Sequence, residues 1–423
     1  MKQQPHAVVI GGGIGGLTAA IGLYESGWSV TVLERAASLE PVGAGIGLAP
    51  NSQRALDVLG LGDRVRALAS WQGQGGMRAR NGRWLVRTSA AEAERTYGGT
   101  LVMLHRATLV DLLVSALPDE ALRTGTRAWL RDPGSADRRA VVATDAPDTT
   151  GATGKGDIEA DLVVGADGIN SAVRTALFPT HPGPVYAGFT AWRFVVPTPV
   201  RPFVPHETWG RGGVWGTHPL KDGRVYAYAT ARLPEGGRAP DGEKAELRRR
   251  FADWHDPIPA LIDAAGPEDI LRNDVRYLAT PLAAYHRGRV ALVGDAAHAM
   301  TPSLGQGGNQ AIEDGVVLAH HLAPGGDLAA GLAAYSAARL PRTTEIVGRA
   351  ARASRLTHLT STPLIAVRDA LISTAARLGP DLILRGFASI ADWRPPQAPY
   401  AAGTATGTSA RPARGTGREP AQR

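Results

Sequence analysis

The 423-residue chain contains no cysteine, which excludes disulfides, thiolate metal sites, cysteine nucleophiles and any redox mechanism built on a dithiol. It also lacks an apolar run approaching the eighteen or so residues needed to span a bilayer. The apolar residues that follow Lys2 pass straight into glycines rather than into a signal-peptide core, so a cytoplasmic protein without a membrane span is expected. Lysine occurs only at Lys2, Lys155, Lys221 and Lys244, leaving arginine to supply nearly all of the 46 basic residues. The formal charge of +7 is scattered, and part of it sits in a tail bearing Arg411, Arg414, Arg418 and Arg423 against Glu419. With no clustered basic face and no recognisable module, nucleic-acid binding is not expected. Internal repeats, a G-x-S-x-G elbow and an H-E-x-x-H helix are absent as well.

What is present begins with a parallel α/β unit: a strand at Ala7–Ile10, a turn at Gly11–Gly16, helical spacing over Leu17–Ser26 and a strand at Ser29–Leu33. The turn, Gly11-Gly12-Gly13-Ile14-Gly15-Gly16, satisfies G-x-G-x-x-G between strand and helix, and Glu34 ends the next strand at the spacing of a ribose-binding acid. Gly11 permits the tight turn, Gly13 lets a pyrophosphate approach the backbone, and Gly16 lets helix pack on strand. No second such motif follows another strand, so a second dinucleotide would have no fold unit of its own.

A second signature is Leu292–Gly315. It reads as a buried strand, a turn placing Asp295 at the strand end, and a glycine loop (Gly305, Gln306, Gly307, Gly308, Asn309) opening a helix. Such a helix start aims unpaired N–H groups and a positive dipole end at an anionic or electron-rich ligand. Asp295 could equally cap the turn before Pro302. Asp295 with His298 lacks a third ligand, so no metal is expected. From about Trp71 to Thr88, and again from Gly188 to Ala231, the pattern becomes short alternating strands with tryptophan and tyrosine concentrated in the second stretch.

A third segment, Asp161-Leu162-Val163-Val164-Gly165-Ala166-Asp167-Gly168-Ile169-Asn170-Ser171-Ala172-Val173-Arg174, completes a set. With it the chain resembles the class A (single-component) flavoprotein aromatic hydroxylases, which have the para-hydroxybenzoate hydroxylase-like fold, and within them the salicylate and urate hydroxylase branch. Pro41–Asn51, Leu104-His105-Arg106 and Tyr186–Arg193 support the likeness, which covers roughly residues 5–350. It implies an α/β fold: a Rossmann-like FAD-binding domain (1–73, 98–182 and 274–345), an inserted β-sheet-rich substrate domain (74–97 and 183–273), C-terminal helices (346–394) and a disordered tail (395–423). It further implies that FAD is held by Gly11, Gly13, Gly15, Gly16, Glu34, Arg35, Gly47, Arg106, Asp167, Asp295, Gly305, Gln306, Gly307, Gly308 and Asn309. Arg174 is a pyridine-nucleotide candidate. Read without the family, Asp167 is an Asp-Gly turn residue and Arg106 and Arg174 are surface arginines.

The implied chemistry is monooxygenation: NADPH or NADH reduces FAD, O2 adds at flavin C4a, and the resulting hydroperoxide hydroxylates or epoxidises an aromatic or polycyclic small molecule. The protein would be a monomer or homodimer. Trp192, Arg193, Trp209, Trp215, His218 and Tyr228 are candidates for the substrate wall. Strand alternation admits only part of them. Core packing is the expected role for any single tryptophan, and Arg193 suits a surface salt bridge as well as an acidic substrate. Several relatives carry an activating histidine or arginine near Gly213–Thr217. Here only His218 is ionisable, on the opposite side of its strand from Trp215, so His218 and Arg193 are the catalytic candidates. Phenol activation by a strand base and a urate substrate therefore fit poorly, and a larger, more apolar substrate fits better. The alternatives are a reductase or dehydrogenase on the same FAD scaffold and a non-catalytic flavin-binding protein. In the latter, Leu364, Leu371 and Leu378 at heptad spacing could meet a partner, although packing across the FAD domain is the expected role. The W-x-W-x-I-P motif of flavin halogenases is absent.

Overall fold

The computed structural model describes residues 4–39, 44–69, 74–147, 155–198 and 203–396. Trp71, Pro41–Gly43 of the supporting motif, residues 148–154, and the expected disordered tail from 397 onward lie outside the described residues.

Two large sheets organise the chain. The first has six strands in the order His286–Arg287, Val290–Leu292, Leu162–Gly165, His6–Ile10, Ser29–Leu33, Leu122–Arg123, parallel except at the outer His286–Arg287 edge. Its central strands are continuous runs of Val, Ala, Ile and Leu that are almost wholly buried. That is the pattern of a parallel sheet covered on both faces. Helix Ile14–Glu25 returns the chain from the first strand to the second. Helix Gly307–His321 packs along it through small residues: a Cβ at Gly22 would meet Ala319 at 2.8 Å, and one at Gly315 would meet the Ala19 nitrogen at 2.7 Å.

The second sheet has seven strands in the order Leu271–Tyr277, Val185–Pro197, Arg224–Ala231, Gly213–Pro219, His206–Trp209, Gln74–Ala79, Trp84–Ser89. Alternation gives it two faces. Trp192, Phe194, Trp215, Ala227 and Ala229 form the back, in one core with Leu247, Phe251 and Leu261 of two covering helices, Glu243–Phe251 and Ile258–Ala264. The front carries Arg193, Val195, Tyr226 and Tyr228 and meets the two-stranded ribbon Gly45–Leu48/Val102–His105. There a Cβ on Gly45 would lie 2.4 Å from the Tyr226 ring, so ring and ribbon are in direct contact.

The C-terminal part of the chain is helical. The boundary between 345 and 346 falls inside one helix, Leu328–Thr357. Helices Leu328–Thr357 and Thr362–Leu378 are separated at 358–361, and Pro363 lies in the first turn of the second, where its missing N–H costs nothing. Leu364, Leu371 and Leu378 do not pack across the first sheet; they are exposed, because the helix turns Ile372 and Ala376 toward a cluster with Met77, Leu85 and Val86.

Candidate active site

The glycine turn sits at the end of the first parallel strand. Gly11 has φ 111°, and a Cβ there would be 2.4 Å from the Ala166 carbonyl oxygen. At Gly16 a Cβ would lie 2.0 Å from the Gly11 oxygen. Both are glycine for the fold's sake. Gly13 differs: its backbone is extended (φ −75°, ψ 177°) and a Cβ would meet nothing within 4 Å. An L-residue would be unstrained there, so the glycine leaves space open rather than relieving a contact. Gly15 is explained by helix packing, since its Cβ would meet Ala311 at 3.2 Å. Glu34 accepts from the Gly12 N–H at 2.7 Å and the Ala36 N–H at 2.8 Å, which braces the turn while each oxygen keeps a lone pair. Arg35 beside it is exposed.

Ala311 joins this turn to the second signature, because a Cβ at Gly294 would also meet it at 3.2 Å. Gly294 has φ 60° and turns the chain so that Asp295 is exposed between buried neighbours, next to the start of helix Gly307–His321. Neither that helix nor Ile14–Glu25 has a side-chain cap or an acid in its first turn. Two uncompensated positive helix ends therefore open beside one exposed carboxylate.

Asn309 holds the loop in place. Its Oδ1 accepts from the Ala49 N–H at 2.8 Å and the Ser52 hydroxyl at 2.5 Å, while Nδ2 donates to the Gly47 carbonyl at 3.0 Å and the Gly305 carbonyl at 2.6 Å. All four bonding positions are used, which leaves only its backbone for a ligand. The Gln306 side chain is likewise buried, accepting from Asn51 and Gln310, both at 3.1 Å. Gly47 and Gly308 are close-approach positions, to Met103 and Ile46 respectively.

The third signature is more structural than expected. Asp167 accepts from the Ser171 hydroxyl at 2.5 Å and the Val173 N–H at 3.1 Å, at the start of helix Ala172–Leu177. Arg174 is not a surface cation. It is 3% exposed and donates to the Ala296 carbonyl at 3.1 Å and the Ile169 carbonyl at 2.7 Å, clamping the Asp167 loop to the Asp295 turn. Arg106 behaves differently. Its side chain is exposed, yet the surrounding protein desolvates it enough to lower its pKa, with Asp295 opposing and Arg193 adding to the shift. Accessible but enclosed is the environment of a concave wall.

Sequence reasoning missed a buried ionic network beneath these loops. Asp314 accepts from the Gly294 N–H at 2.8 Å and from Arg339 Nε at 2.7 Å, with His298 Nε2 at 2.6 Å. Glu313 accepts from Arg342 Nε at 2.8 Å, from Asn51 at 2.7 Å, from Gln310 at 3.0 Å and from Arg339. Burial raises both carboxyl pKa values. Arg339 and Arg342 at Glu313, and His298 and Arg339 at Asp314, bring them below the ordinary range. His298 thus points into the core, away from any pairing with Asp295. Only the short local motif was visible in the sequence; the arginine partners lie on another helix.

The sheet front faces the same region. Trp192 and Trp215, two of the wall candidates, are fully buried on the back, in the core packing expected of any single tryptophan here. Arg193, Trp209, His218 and Tyr228 lie on the front, in the registers Arg193↔Tyr228↔Gly216↔Glu207 and Val195↔Tyr226↔His218. His218 stacks on Tyr228 with centroids 5.8 Å apart and planes at 16°. Burial lowers the His218 pKa to about 4, so it is a neutral imidazole, too weak a base to hold a proton near neutrality. Burial likewise lowers His206 to about 3 and His358 to about 4. Unfolded histidines titrate near 6.5, so between there and about 4 the unfolded chain binds more protons, and stability should fall as pH falls through that window. Melting curves from about pH 7 to about pH 4.5 should show the Tm dropping, with a shallower slope in His218→Gln. A slope unchanged by that variant would remove His218 from the account.

Residues 5–350 match the family described as an FAD binding domain. The chain is 38% identical over 360 residues to the aurachin C monooxygenase/isomerase of Stigmatella aurantiaca, covering 84% of this chain and 90% of that one. It is 36% identical over 386 residues to the 3-amino-4-hydroxybenzoate 2-monooxygenase of Streptomyces cremeus, covering 87% and 92%. The crystal structure of Klebsiella pneumoniae HpxO with FAD and uric acid superposes with a TM-score of 0.82 at 29% identity, covering 92% of this chain and 96% of that one.

Proposed function

Because the chain belongs to the class A FAD-dependent aromatic monooxygenases, we propose that it takes its electrons from NADPH or NADH and oxidises an elongated, largely apolar aromatic compound in the chamber before the second sheet. It is an FAD-dependent monooxygenase acting on an aromatic or polycyclic small molecule. The observation that carries the site assignment is the meeting of the Gly13 gap, the exposed Asp295 carboxylate and the uncapped Gly307 helix around Ala311. Open backbone for a pyrophosphate, an acid for hydroxyls and a positive helix end for an electron-rich ring suit FAD in one continuous pose.

In this reading Gly13 and the Ile14 helix start receive the pyrophosphate, Glu34 and Arg35 meet the adenosine end, and Asp295 accepts from the ribityl hydroxyls. Arg106 stands over the same chain. The N–H groups of residues 305–309 face the pyrimidine edge, and the Gly307 helix end stabilises negative charge there. Bound FAD supplies what no side chain here can: two-electron reduction by NAD(P)H and O2 activation. The second sheet then excludes water and orients the substrate, with His218 and Arg193 as polar contacts. Asp167 braces the loop next to the ligand.

Oxidation of NADPH and NADH by the FAD-loaded enzyme across phenols, aromatic acids, indoles and naphthols, with O2 and peroxide followed together, tests this. The expected result is one class that accelerates oxidation and O2 uptake without matching peroxide. An alkene or quinone driving oxidation without O2 uptake would replace the monooxygenase by a reductase.

A further inference from the structure

The front of the second sheet holds an acid that the chemistry above does not use. Glu207 lies in the cross-strand row Arg193–Tyr228–Gly216–Glu207, which Met77 continues on the next strand. Its carboxyl oxygens accept from the Tyr228 hydroxyl and from the Trp209 indole N–H. Among the described residues no cation pairs with it. A buried acid without a counter-ion is costly, and burial raises the Glu207 pKa against the two hydrogen bonds that lower it. The arrangement is nevertheless built in. Gly216 stands between Tyr228 and Glu207, and a Cβ there would lie 2.1 Å from the Tyr228 ring, so only glycine lets that ring cross the strand to reach the acid. Glu207 and Tyr228 are each partly accessible although strongly desolvated. They therefore sit in an enclosed setting on the sheet front rather than in bulk water.

Resting on the monooxygenase reading, we propose that Glu207 is a specificity-determining residue: it accepts a hydrogen bond from a neutral N–H or O–H group at the end of the substrate remote from Arg193, and it bars carboxylates from that end. Each carboxyl oxygen has a second lone pair beyond its Tyr228 or Trp209 bond. Three strand spacings separate Arg193 from Glu207, about 14 Å, more than a single aromatic ring spans. Met77, next to Glu207 across the strands, packs in an apolar cluster with Ile372 and Ala376 of helix Thr362–Leu378. Arg368 of that helix is spoken for, lying 5.2 Å from the Trp209 ring and paired with Asp369 at 2.8 Å. Among the described residues no cation pairs with Glu207, so a carboxylate entering here would meet it uncompensated.

The test uses FAD-loaded holoenzyme and the size-matched probes 2-naphthol and 2-naphthoate, with binding read from the flavin absorbance difference spectrum. Wild type should bind the naphthol roughly tenfold or more tighter than the naphthoate, the value of one hydrogen bond to a carboxyl group. Glu207→Leu should lose that preference. Glu207→Gln, which still accepts but carries no charge, should keep naphthol binding and admit naphthoate. FAD content and Tm are measured on the same preparations, since a structural role would move those instead. A naphthol-to-naphthoate ratio unaltered in both variants overturns the proposal and leaves the monooxygenase intact. Wild-type holoenzyme that binds neither probe, nor any aromatic in the turnover panel, overturns the chamber reading itself.

Discussion

Gly13→Val should yield a folded protein that binds FAD far more weakly. The backbone at Gly13 is already in the extended region open to any L-residue, and a Cβ would touch nothing within 4 Å, so the apoprotein has no reason to object. The new side chain would instead occupy the space through which a pyrophosphate must approach the first turn of the helix. Overpacking of this kind typically costs about 1–3 kcal/mol, which translates to roughly ten- to hundredfold in FAD affinity. Gly16→Val is the contrast. A Cβ 2.0 Å from the Gly11 oxygen cannot be accommodated without moving strand from helix, so that variant should not accumulate as a soluble fold. Fluorescence titration with FAD and an apoprotein melting curve separate the two effects. Were Gly13→Val to bind FAD as wild type does, the pyrophosphate would have to lie elsewhere.

The difference between those two glycines also shows which parts of the site were legible beforehand. A glycine turn is local: its φ angles and close approaches arise within a few residues, so motif and geometry agree. Alternation along Val185–Pro197 and Gly213–Pro219 was legible too, but which face the helices would cover was not. That depended on the helices Glu243–Phe251 and Ile258–Ala264 claiming Trp192 and Trp215 for their core. Arg174 was misread because an arginine after an Asp-Gly loop looks like a ligand contact, whereas its partners are the Ala296 and Ile169 carbonyls. Glu207 gave no signal at all, since nothing in His206-Glu207-Thr208-Trp209 distinguishes an enclosed acid from a solvated one. Its environment comes from Tyr228, placed beside it only by strand register.

The buried ionic network, equally silent in the sequence, carries a large expected loss of stability. Arg339→Met should destabilise the fold by about 3–5 kcal/mol, the usual consequence of removing one member of a buried ionic cluster. Arg339 is 1% exposed and bonds Asp314 through Nε at 2.7 Å, Glu313 through Nη1, and the Gln310 side-chain oxygen through Nη2 at 2.8 Å. Methionine fills much of the volume but leaves Asp314, wholly buried, with only His298 and the Gly294 N–H. Arg339→Lys should recover part of the loss, because it keeps the charge without the planar fork that reaches two carboxylates at once. Adding Glu313→Gln and Asp314→Asn to Arg339→Met should recover stability as well, since the cost is the uncompensated charge rather than the missing contact. Denaturant midpoints across this series check the order. The loss should also reach the cofactor, because Asp314 holds the Gly294 N–H that turns Asp295 outward. FAD should therefore dissociate from Arg339→Met at denaturant concentrations below its global unfolding. If FAD release and unfolding instead coincide in every variant, the network serves the core alone and does not hold the Asp295 turn.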